Sequence, residues 1–283
     1  MRVWITAMLA FLTAACSPLA LFNTAVPKDP AAGRVTTDIA YGPEPRQRLD
    51  VYPGAGGAEA KPVMVFIYGG SWASGRRQDY AWVGRALAAQ GFLTVIPDYR
   101  LVPEVVFPAF VDDGAAALRW VRDNAARFGG DPDRIVLIGH SAGAYNALML
   151  ALDRQFIDKA GVPQQVIRGA IGIAGPYDFY PWDTPVSENA FGQFPDPLQT
   201  QPVTFARADA PPLLLLHGDA DATVRPRNVQ RLADRVRNAG GRVETKIYPG
   251  MDHRGAVLAL SRPFRSRSTL LDDVTRFARE AAR

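Results

Sequence analysis

The chain has 283 residues, of which 48% are hydrophobic and 21% are charged, and its formal net charge is +4. This length is enough to bury one large core, and the charged fraction is ordinary for a globular protein. Arginine is concentrated only in residues 225–237 and 262–267, which we expect to be solvated helix and loop faces, so a nucleic-acid-binding protein is disfavoured. The single cysteine, Cys16, excludes an intrachain disulfide.

The first residues have the layout of a targeting segment. Arg2 precedes an apolar run of about a dozen residues, which is too short for an ordinary membrane-spanning helix. Ala14 and Ala15 then supply the small residues that a cleavage site needs. Because Cys16 follows them, the segment resembles a bacterial lipoprotein signal with its lipobox at residues 12–16, although Thr13 stands where that pattern prefers leucine.

The resemblance implies that residues 1–15 are a signal peptide and that Cys16 is lipidated. Ser17 after the cysteine is typical of sorting to the outer membrane, so we expect a lipoprotein of the bacterial cell envelope that faces the periplasm. A secreted protein without lipid and an uncleaved N-terminal anchor are the alternatives. Residues 16–34 are rich in proline and lack sustained periodicity, which predicts a lipidated tether before one domain at 35–283.

Strands and helices alternate along this domain. The first two predicted strands, at 35–41 and 47–52, form an antiparallel pair, and the later apolar runs are typical of strands buried on both faces. The further strands are predicted at 63–68, 92–96, 134–138, 170–174, 213–217 and 243–248, and the helices at 81–90, 110–128, 142–153, 228–239 and 269–282. This pattern predicts an α/β fold with a mostly parallel eight-stranded sheet covered by helices on both faces.

The pentapeptide Gly-His-Ser-Ala-Gly at 139–143 lies between a predicted strand and a predicted helix. In this setting it resembles the nucleophile elbow of the α/β hydrolases. The serine of such an elbow sits in a strained turn that projects its hydroxyl from the sheet. The residues two before and two after it crowd the backbone, which explains Gly139 and Gly143. Ser141 is therefore the candidate nucleophile, and a structural turn serine is the alternative.

Residues 175–208 interrupt the alternation with prolines and aromatic residues. An insertion after the carboxyl end of a strand lies where α/β folds bind substrate. We therefore expect a small cap-like element over the site, with a packed surface excursion as the alternative. Its large rings would leave a short pocket with apolar walls, and the predicted pocket residues are Trp72, Trp182 and Phe191.

A serine hydroxyl needs a general base, and the chain has three histidines. His140 lies in the elbow and is expected to point away from Ser141, while His217 ends a predicted strand and is expected to pack there. His253 follows the last predicted strand. The chain order serine, acid, histidine of the α/β hydrolases selects His253 as the base.

The acid of such a triad is expected on the loop after the predicted strand 213–217. In the family that the elbow resembles, the acid is usually the fourth residue after the strand-ending histidine, which is Asp221 here. Asp219 on the same loop is the alternative. Either carboxylate would hold His253 in the tautomer that the reaction needs and would stabilise the imidazolium.

An oxyanion hole is expected from Gly69, Gly70 and the backbone N–H of Ala142. The two glycines directly follow a predicted strand, and Ala142 begins a predicted helix whose dipole favours negative charge there. The loop resembles the His-Gly-Gly loop of carboxylesterases like hormone-sensitive lipase and feruloyl esterase and of arylformamidases. In this chain Tyr68 replaces the histidine.

The resemblance to these esterases covers nearly the whole domain. It includes the sequences Asp-Tyr-Arg-Leu at 98–101, Phe-Gly-Gly-Asp-Pro at 128–132 and Gly-Pro-Tyr-Asp at 175–178. It implies a carboxylesterase that cleaves a small-molecule ester through an acyl-enzyme intermediate, and the aromatic residues favour short acyl chains. An arylformamidase or a peptidase with the same triad, and an inactive binding protein of the same fold, are the alternatives. The sequence contains no clustered Cys/His set or dinucleotide-binding glycine pattern, so we expect no metal and no cofactor.

Overall fold

The computed structural model describes residues 18–182 and 184–283. The predicted signal peptide at 1–15 and the predicted lipidation site Cys16 therefore lie outside the described residues. Within the described chain, none of the helices combines the length and the apolar character needed to cross a membrane.

A central sheet of eight strands organises the domain in the order β1-β2-β4-β3-β5-β6-β7-β8. The strands are β1 (Thr36–Ala40), β2 (Arg48–Tyr52), β3 (Lys61–Ile67), β4 (Leu93–Pro97), β5 (Gly130–His140), β6 (Ile167–Ile173), β7 (Leu213–Gly218) and β8 (Val243–Tyr248). The α-helices are α1 (Pro18–Ala25), α2 (Ala81–Ala89), α3 (Ala109–Asn124), α4 (Ala142–Leu152), α5 (Arg154–Lys159), α6 (Pro185–Phe191), α7 (Arg227–Asn238), α8 (His253–Leu258) and α9 (Leu270–Ala281).

Strands β3 to β8 run parallel to one another, whereas β2 pairs in the antiparallel sense with both β1 and β4. Every residue of β4 and β7 is buried. Because successive side chains of a strand point to opposite faces, unbroken burial means that both faces of the sheet are covered. The predicted α/β-hydrolase fold, with a mostly parallel eight-stranded sheet, is therefore confirmed.

The N-terminal segment packs against the domain. In α1, the ring of Phe22 meets the ring of Trp82 edge to face at 5.4 Å, and Asn23 donates a hydrogen bond to the backbone of Gln78 at 2.9 Å. Farther on, Asp29 forms an ion pair with Arg265 at 2.6 Å. The prediction of a tether across 16–34 is therefore wrong for the described part, because alternating aromatic and polar contacts fix the segment in place without a long periodic pattern.

The carboxyl ends of four parallel strands meet at one edge of the sheet. Ser141 directly follows β5, and the Gly69–Gly70 pair lies just after β3. The loop with Asp221 follows β7, and His253 lies shortly after β8. Since parallel strands end on the same side, the topology brings these distant residues together in the crevice where α/β folds bind ligands.

Candidate active site

The backbone at Ser141 has φ 55° and ψ −123°, a conformation that residues other than glycine rarely adopt. The turn fits because its neighbours are small. A Cβ on Gly139 would lie 2.1 Å from the carbonyl oxygen of Gly143, and a Cβ on Gly143 would lie 2.0 Å from that of Ile67. The two glycines therefore allow three backbone segments to meet, and they hold the Ser141 hydroxyl above the sheet between β5 and α4.

Ser141, His253 and Asp221 form a hydrogen-bonded chain. The Oγ atom of Ser141 lies 2.9 Å from Nε2 of His253, and Nδ1 of His253 lies 2.7 Å from Oδ2 of Asp221. A carboxylate can only accept, so Nδ1 carries the proton and Nε2 is free to accept the serine proton. Asp252 caps α8 by accepting from the N–H of Gly255, and this cap fixes the start of the helix at His253.

The structure distinguishes the two candidate acids. Asp219 is exposed, and its carboxylate accepts from the backbone N–H of Gly250 at 2.6 Å, so it holds the loop after β8. Asp221 is buried, and it also accepts from the N–H groups of Thr223 and Val224. The carboxylate that contacts His253 is that of Asp221.

Buried His217 supports this carboxylate. Its Nε2 atom lies 2.7 Å from the carbonyl oxygen of Val224 and 3.1 Å from Oδ2 of Asp221, so Nε2 carries the proton and donates toward both acceptors. Burial alone would raise the pKa of Asp221, but hydrogen bonds from His217, His253 and the backbone of Val224 hold it well below its usual range. Sequence reasoning assigned His217 to packing and missed this contact, although its four-residue separation from Asp221 could have indicated it.

The loop after β3 approaches Ser141 closely. A Cβ on Gly69 would lie 2.9 Å from the Cβ of Ser141. Gly70, Ser71 and Trp72 all have positive φ angles, of 135°, 54° and 57°. Of the two predicted oxyanion glycines, Gly69 therefore lies beside Ser141, and Gly70 continues the turn and packs against Ser74. Ala142 is the first residue of α4, and an N–H at this position has no acceptor within its own helix.

Tyr68, which stands in place of the histidine of the His-Gly-Gly loop, holds the start of this loop in position. Its ring stacks between those of Tyr80 and Tyr99, with centroid distances of 5.3 and 4.9 Å. Its hydroxyl donates to Oδ1 of Asp98 at 2.7 Å and accepts from Arg46 at 3.1 Å. Burial raises the pKa of the Tyr68 phenol, so the group stays protonated and keeps its role as a donor. The substitution is therefore compatible with a fixed Gly69–Gly70 loop.

A cleft of about 300 Å³ opens above Ser141. Trp72 lines it and is held by a 3.2 Å hydrogen bond from its Nε1 to Oδ1 of buried Asn146. Phe179 of the insertion stacks on Trp72 at 6.0 Å and also lines the cleft. The other lining residues are Ser71, Ala142, Pro176, Thr184, Val186, Ser187, Ala222, Thr223, Val224, Arg225, Arg227 and Asn228.

Three expectations about the pocket need correction. Phe191 is buried behind Trp72, at a ring distance of 4.8 Å, and supports that ring without lining the cleft. Trp182 packs against Tyr180 at 4.9 Å and against the hydrophobic core, and it does not line the cleft. The walls are also less apolar than predicted, since hydroxyl, amide and guanidinium side chains form much of them. Phe179 is the aromatic residue of the insertion that lines the cleft, and the sequence alone does not show which way each ring faces.

His140 points away from Ser141, as expected, and it contacts the base through the backbone. Its Nε2 atom lies 3.0 Å from the carbonyl oxygen of His253. A carbonyl can only accept, so Nε2 carries a proton. Burial, together with the nearby charge of His253, lowers the pKa of His140 to about 3, and the ring is therefore neutral at ordinary pH. Through this hydrogen bond, His140 helps to fix the backbone of His253.

Comparison with known proteins gives matches over most of the chain. The model of the BD-FAE family matches residues 49–236. The isoprenylcysteine alpha-carbonyl methylesterase ICME of Arabidopsis thaliana is 30% identical over 265 residues, which cover 85% of this chain and 61% of that protein. The chain thus spans about three fifths of the length of this curated relative.

Solved structures share the fold. A truncated carbohydrate esterase from gut microbiota superposes with a TM-score of 0.79 at 22% identity, covering 91% of this chain and 99% of that one. An esterase of the Planctomycetes species Thermogutta terrifontis, solved with propionate bound, has a TM-score of 0.69 at 25% identity and covers 90% of this chain and 96% of its own.

The state of His140 leads to a pH prediction. A histidine titrates near pH 6.5 in the unfolded chain, whereas the folded His140 stays neutral down to about pH 3. The unfolded state therefore binds more protons between these values, and stability is lost as the pH falls. Between pH 7 and pH 5, His140 alone should lower the free energy of unfolding by about 2 kcal/mol. His140→Gln keeps a donor near the carbonyl of His253 and should remove this part of the pH dependence.

Urea denaturation of both proteins at pH 7 and pH 5 measures the difference. An equal loss of stability in wild type and His140→Gln would contradict the assignment of a neutral, buried His140.

Proposed function

Because the chain belongs to the BD-FAE family and holds Ser141, His253 and Asp221 in direct hydrogen-bonding contact, we propose that it is a serine carboxylesterase. The contact of Ser141 with His253 carries this proposal, since it joins a nucleophile to a base whose other nitrogen already faces a carboxylate. The complete set also favours an enzyme over a binding protein of the same fold.

The proposed reaction proceeds through an acyl-enzyme. Ser141 Oγ attacks the ester carbonyl while Nε2 of His253 takes the hydroxyl proton, and Asp221 stabilises the resulting imidazolium. The carbonyl oxygen becomes an oxyanion, which the backbone N–H groups of Ala142 and the Gly69–Gly70 loop bind. The C–O bond to the alcohol then breaks, and His253 gives its proton to the leaving oxygen. A water molecule then attacks the acyl-enzyme carbonyl while His253 takes its proton. The bond to Ser141 Oγ breaks, His253 returns the proton to Oγ, and the acid is released.

We further propose a preference for short acyl chains. The cleft of about 300 Å³ is at the small end for ligand sites, and Trp72 directly follows the oxyanion loop. Its hydrogen bond to Asn146 and the buried Phe191 behind it keep this ring from moving aside. The propionate in the Thermogutta terrifontis esterase is consistent with this size class.

We also propose that Cys16 is lipidated and that residues 1–15 are removed, which would place the enzyme on the outer membrane facing the periplasm. The residue order at 12–17 supports this proposal. Since α1 begins at Pro18 and packs on the domain, the lipid would hold the domain close to the membrane surface.

Substitutions of the three contacting residues test the mechanism. Ser141→Ala and His253→Ala should each reduce kcat for 4-nitrophenyl acetate by roughly a thousandfold or more, and the double variant should be little worse, because the residues act as a unit. Asp221→Asn should cost a similar order, since it removes the charge opposite the imidazolium. Asp219→Asn is the matched control and should have a small effect. Near wild-type turnover in Ser141→Ala, or a larger loss in Asp219→Asn than in Asp221→Asn, would overturn the assignment.

A series of 4-nitrophenyl esters tests the acyl preference. The wild type should have its highest kcat/KM between acetyl and butyryl, with a graded decline, because each methylene changes binding by only about 1–3 kcal/mol. Trp72→Ala should shift the optimum to longer chains. Trp182→Ala removes a tryptophan that does not line the cleft and should leave the optimum in place. A wild type that prefers dodecanoyl over butyryl would show that Trp72 does not limit the pocket.

The anchor is tested by expression of the full chain in a Gram-negative bacterium. The wild type should be recovered in the membrane fraction, and Cys16→Ser should be released from it, because the lipid would be the only covalent link to the bilayer. Mass spectrometry of the purified protein gives the second readout, and an intact Met1 would exclude cleavage at Cys16.

A further inference from the structure

Two arginines line the same cleft as Ser141. Arg225 and Arg227 are both exposed, and within residues 18–182 and 184–283 neither guanidinium forms an ion pair or a hydrogen bond with a carboxylate. The described residues that line the cleft include neither Asp nor Glu. Among the described residues, the lining of the cleft therefore carries positive charge and no carboxylate.

Two other arginines of α7 have carboxylate partners. On the next turn of α7, Arg231 pairs with Asp178 at 2.7 Å, and farther along the helix Arg237 lies 3.6 Å from Asp234. Arg225 and Arg227 have no such partner among the described residues, and they differ from other unpaired arginines, such as Arg235, because they line the cleft with Ser141. A guanidinium presents a rigid fork of donors that matches a carboxylate, and an unpaired one attracts anions.

The backbone that carries these arginines is fixed. Buried Asn228 accepts from the N–H groups of Tyr177 and Asp178, at 2.8 and 2.9 Å, and donates to the carbonyl oxygen of Arg225 at 3.1 Å. It therefore ties the start of α7 to the segment after β6, whose residues Pro176 and Phe179 line the cleft. The two guanidinium groups are mounted on a rigid base, which reduces the ordering that a bound anion would require.

We propose that the cleft selects esters that carry a carboxylate close to the scissile bond, and that Arg225 and Arg227 bind this carboxylate. The inference rests on the proposed esterase function and names its substrate class. Charge-assisted hydrogen bonds are the stronger kind, so the anionic group should favour hydrolysis over a neutral analogue by on the order of tenfold at low salt. Screening reduces this advantage as the ionic strength rises.

Matched ester pairs test the proposal. For the acyl side, 4-nitrophenyl hemisuccinate is compared with neutral 4-nitrophenyl succinamate. For the alcohol side, 4-carboxyphenyl acetate is compared with neutral 4-carbamoylphenyl acetate. The readout is the ratio of kcat/KM for the anionic ester to that for its neutral partner, after subtraction of the uncatalysed rate. We expect a ratio well above one for at least one pair, and the pair concerned shows which side of the ester faces the arginines.

Arg225→Gln/Arg227→Gln should lower that ratio by on the order of tenfold, because two charges are removed from the cleft. Arg235→Gln is the matched control, since it removes a charge from the exposed face of α7 outside the cleft, and its ratio should equal that of the wild type. Raising the salt concentration should lower the ratio in the wild type and change it little in the double variant.

Failure of the two proposals can be distinguished. If the wild type hydrolyses the neutral esters but its ratio does not exceed one, or the double variant keeps the ratio, the carboxylate site is overturned and the esterase stands. If the wild type hydrolyses none of the four esters, the esterase proposal fails. Calorimetric titration with succinate at low salt then tests the carboxylate site by itself. Binding to the wild type that is lost in Arg225→Gln/Arg227→Gln supports the site, and no binding to the wild type overturns it.

Discussion

At the carboxyl end of β5, the backbone of the elbow passes so close to its surroundings that added side chains at Gly139 or Gly143 would overlap carbonyl groups at about 2 Å. The positive φ of Ser141 is stable only because this crowding leaves the turn no other path. The contact between Ser141 Oγ and His253 depends on that geometry, as does the approach of Gly69 to the serine Cβ. A strained turn enclosed by a rigid sheet therefore positions the whole site.

The loop after β3 depends on a second buried network. Asp98 accepts from the hydroxyl of Tyr68 and from both the backbone and the side chain of Arg77, and Arg77 in turn reaches Asp50 at 2.8 Å. Removing buried charges from water is costly, so such a network is weak support for stability, and breaking one partner would leave an uncompensated charge. The network does, however, fix the side chain of Tyr68, and through it the backbone of the glycine loop that follows.

Sequence reasoning identified what local chemistry specifies. The glycine spacing at 139–143 gave the elbow at Ser141, and chain order gave His253, because the fold places the carboxyl ends of parallel strands together. It left Asp219 and Asp221 open, since both lie on one loop and only the direction of each side chain separates them. It also missed helix α1, whose position depends on tertiary contacts of Phe22 with Trp82 and Phe264 rather than on a helical pattern.

The same limit applies to the cleft, where the direction of a side chain decides its role. Aromatic residues in 175–208 predicted apolar walls, yet Trp182 packs against the hydrophobic core while Phe179 lines the cleft. The arginine-rich residues 225–237 were expected to be solvated, and Arg225, Arg227 and Arg231 are all exposed, with Arg231 paired with Asp178. The sequence does not show that Arg225 and Arg227 also line the cleft with Ser141, which follows because α7 begins at the edge of the cleft. One helix therefore presents arginines to two environments, and only the tertiary placement of its first residue separates a solubilising charge from one that can select a substrate.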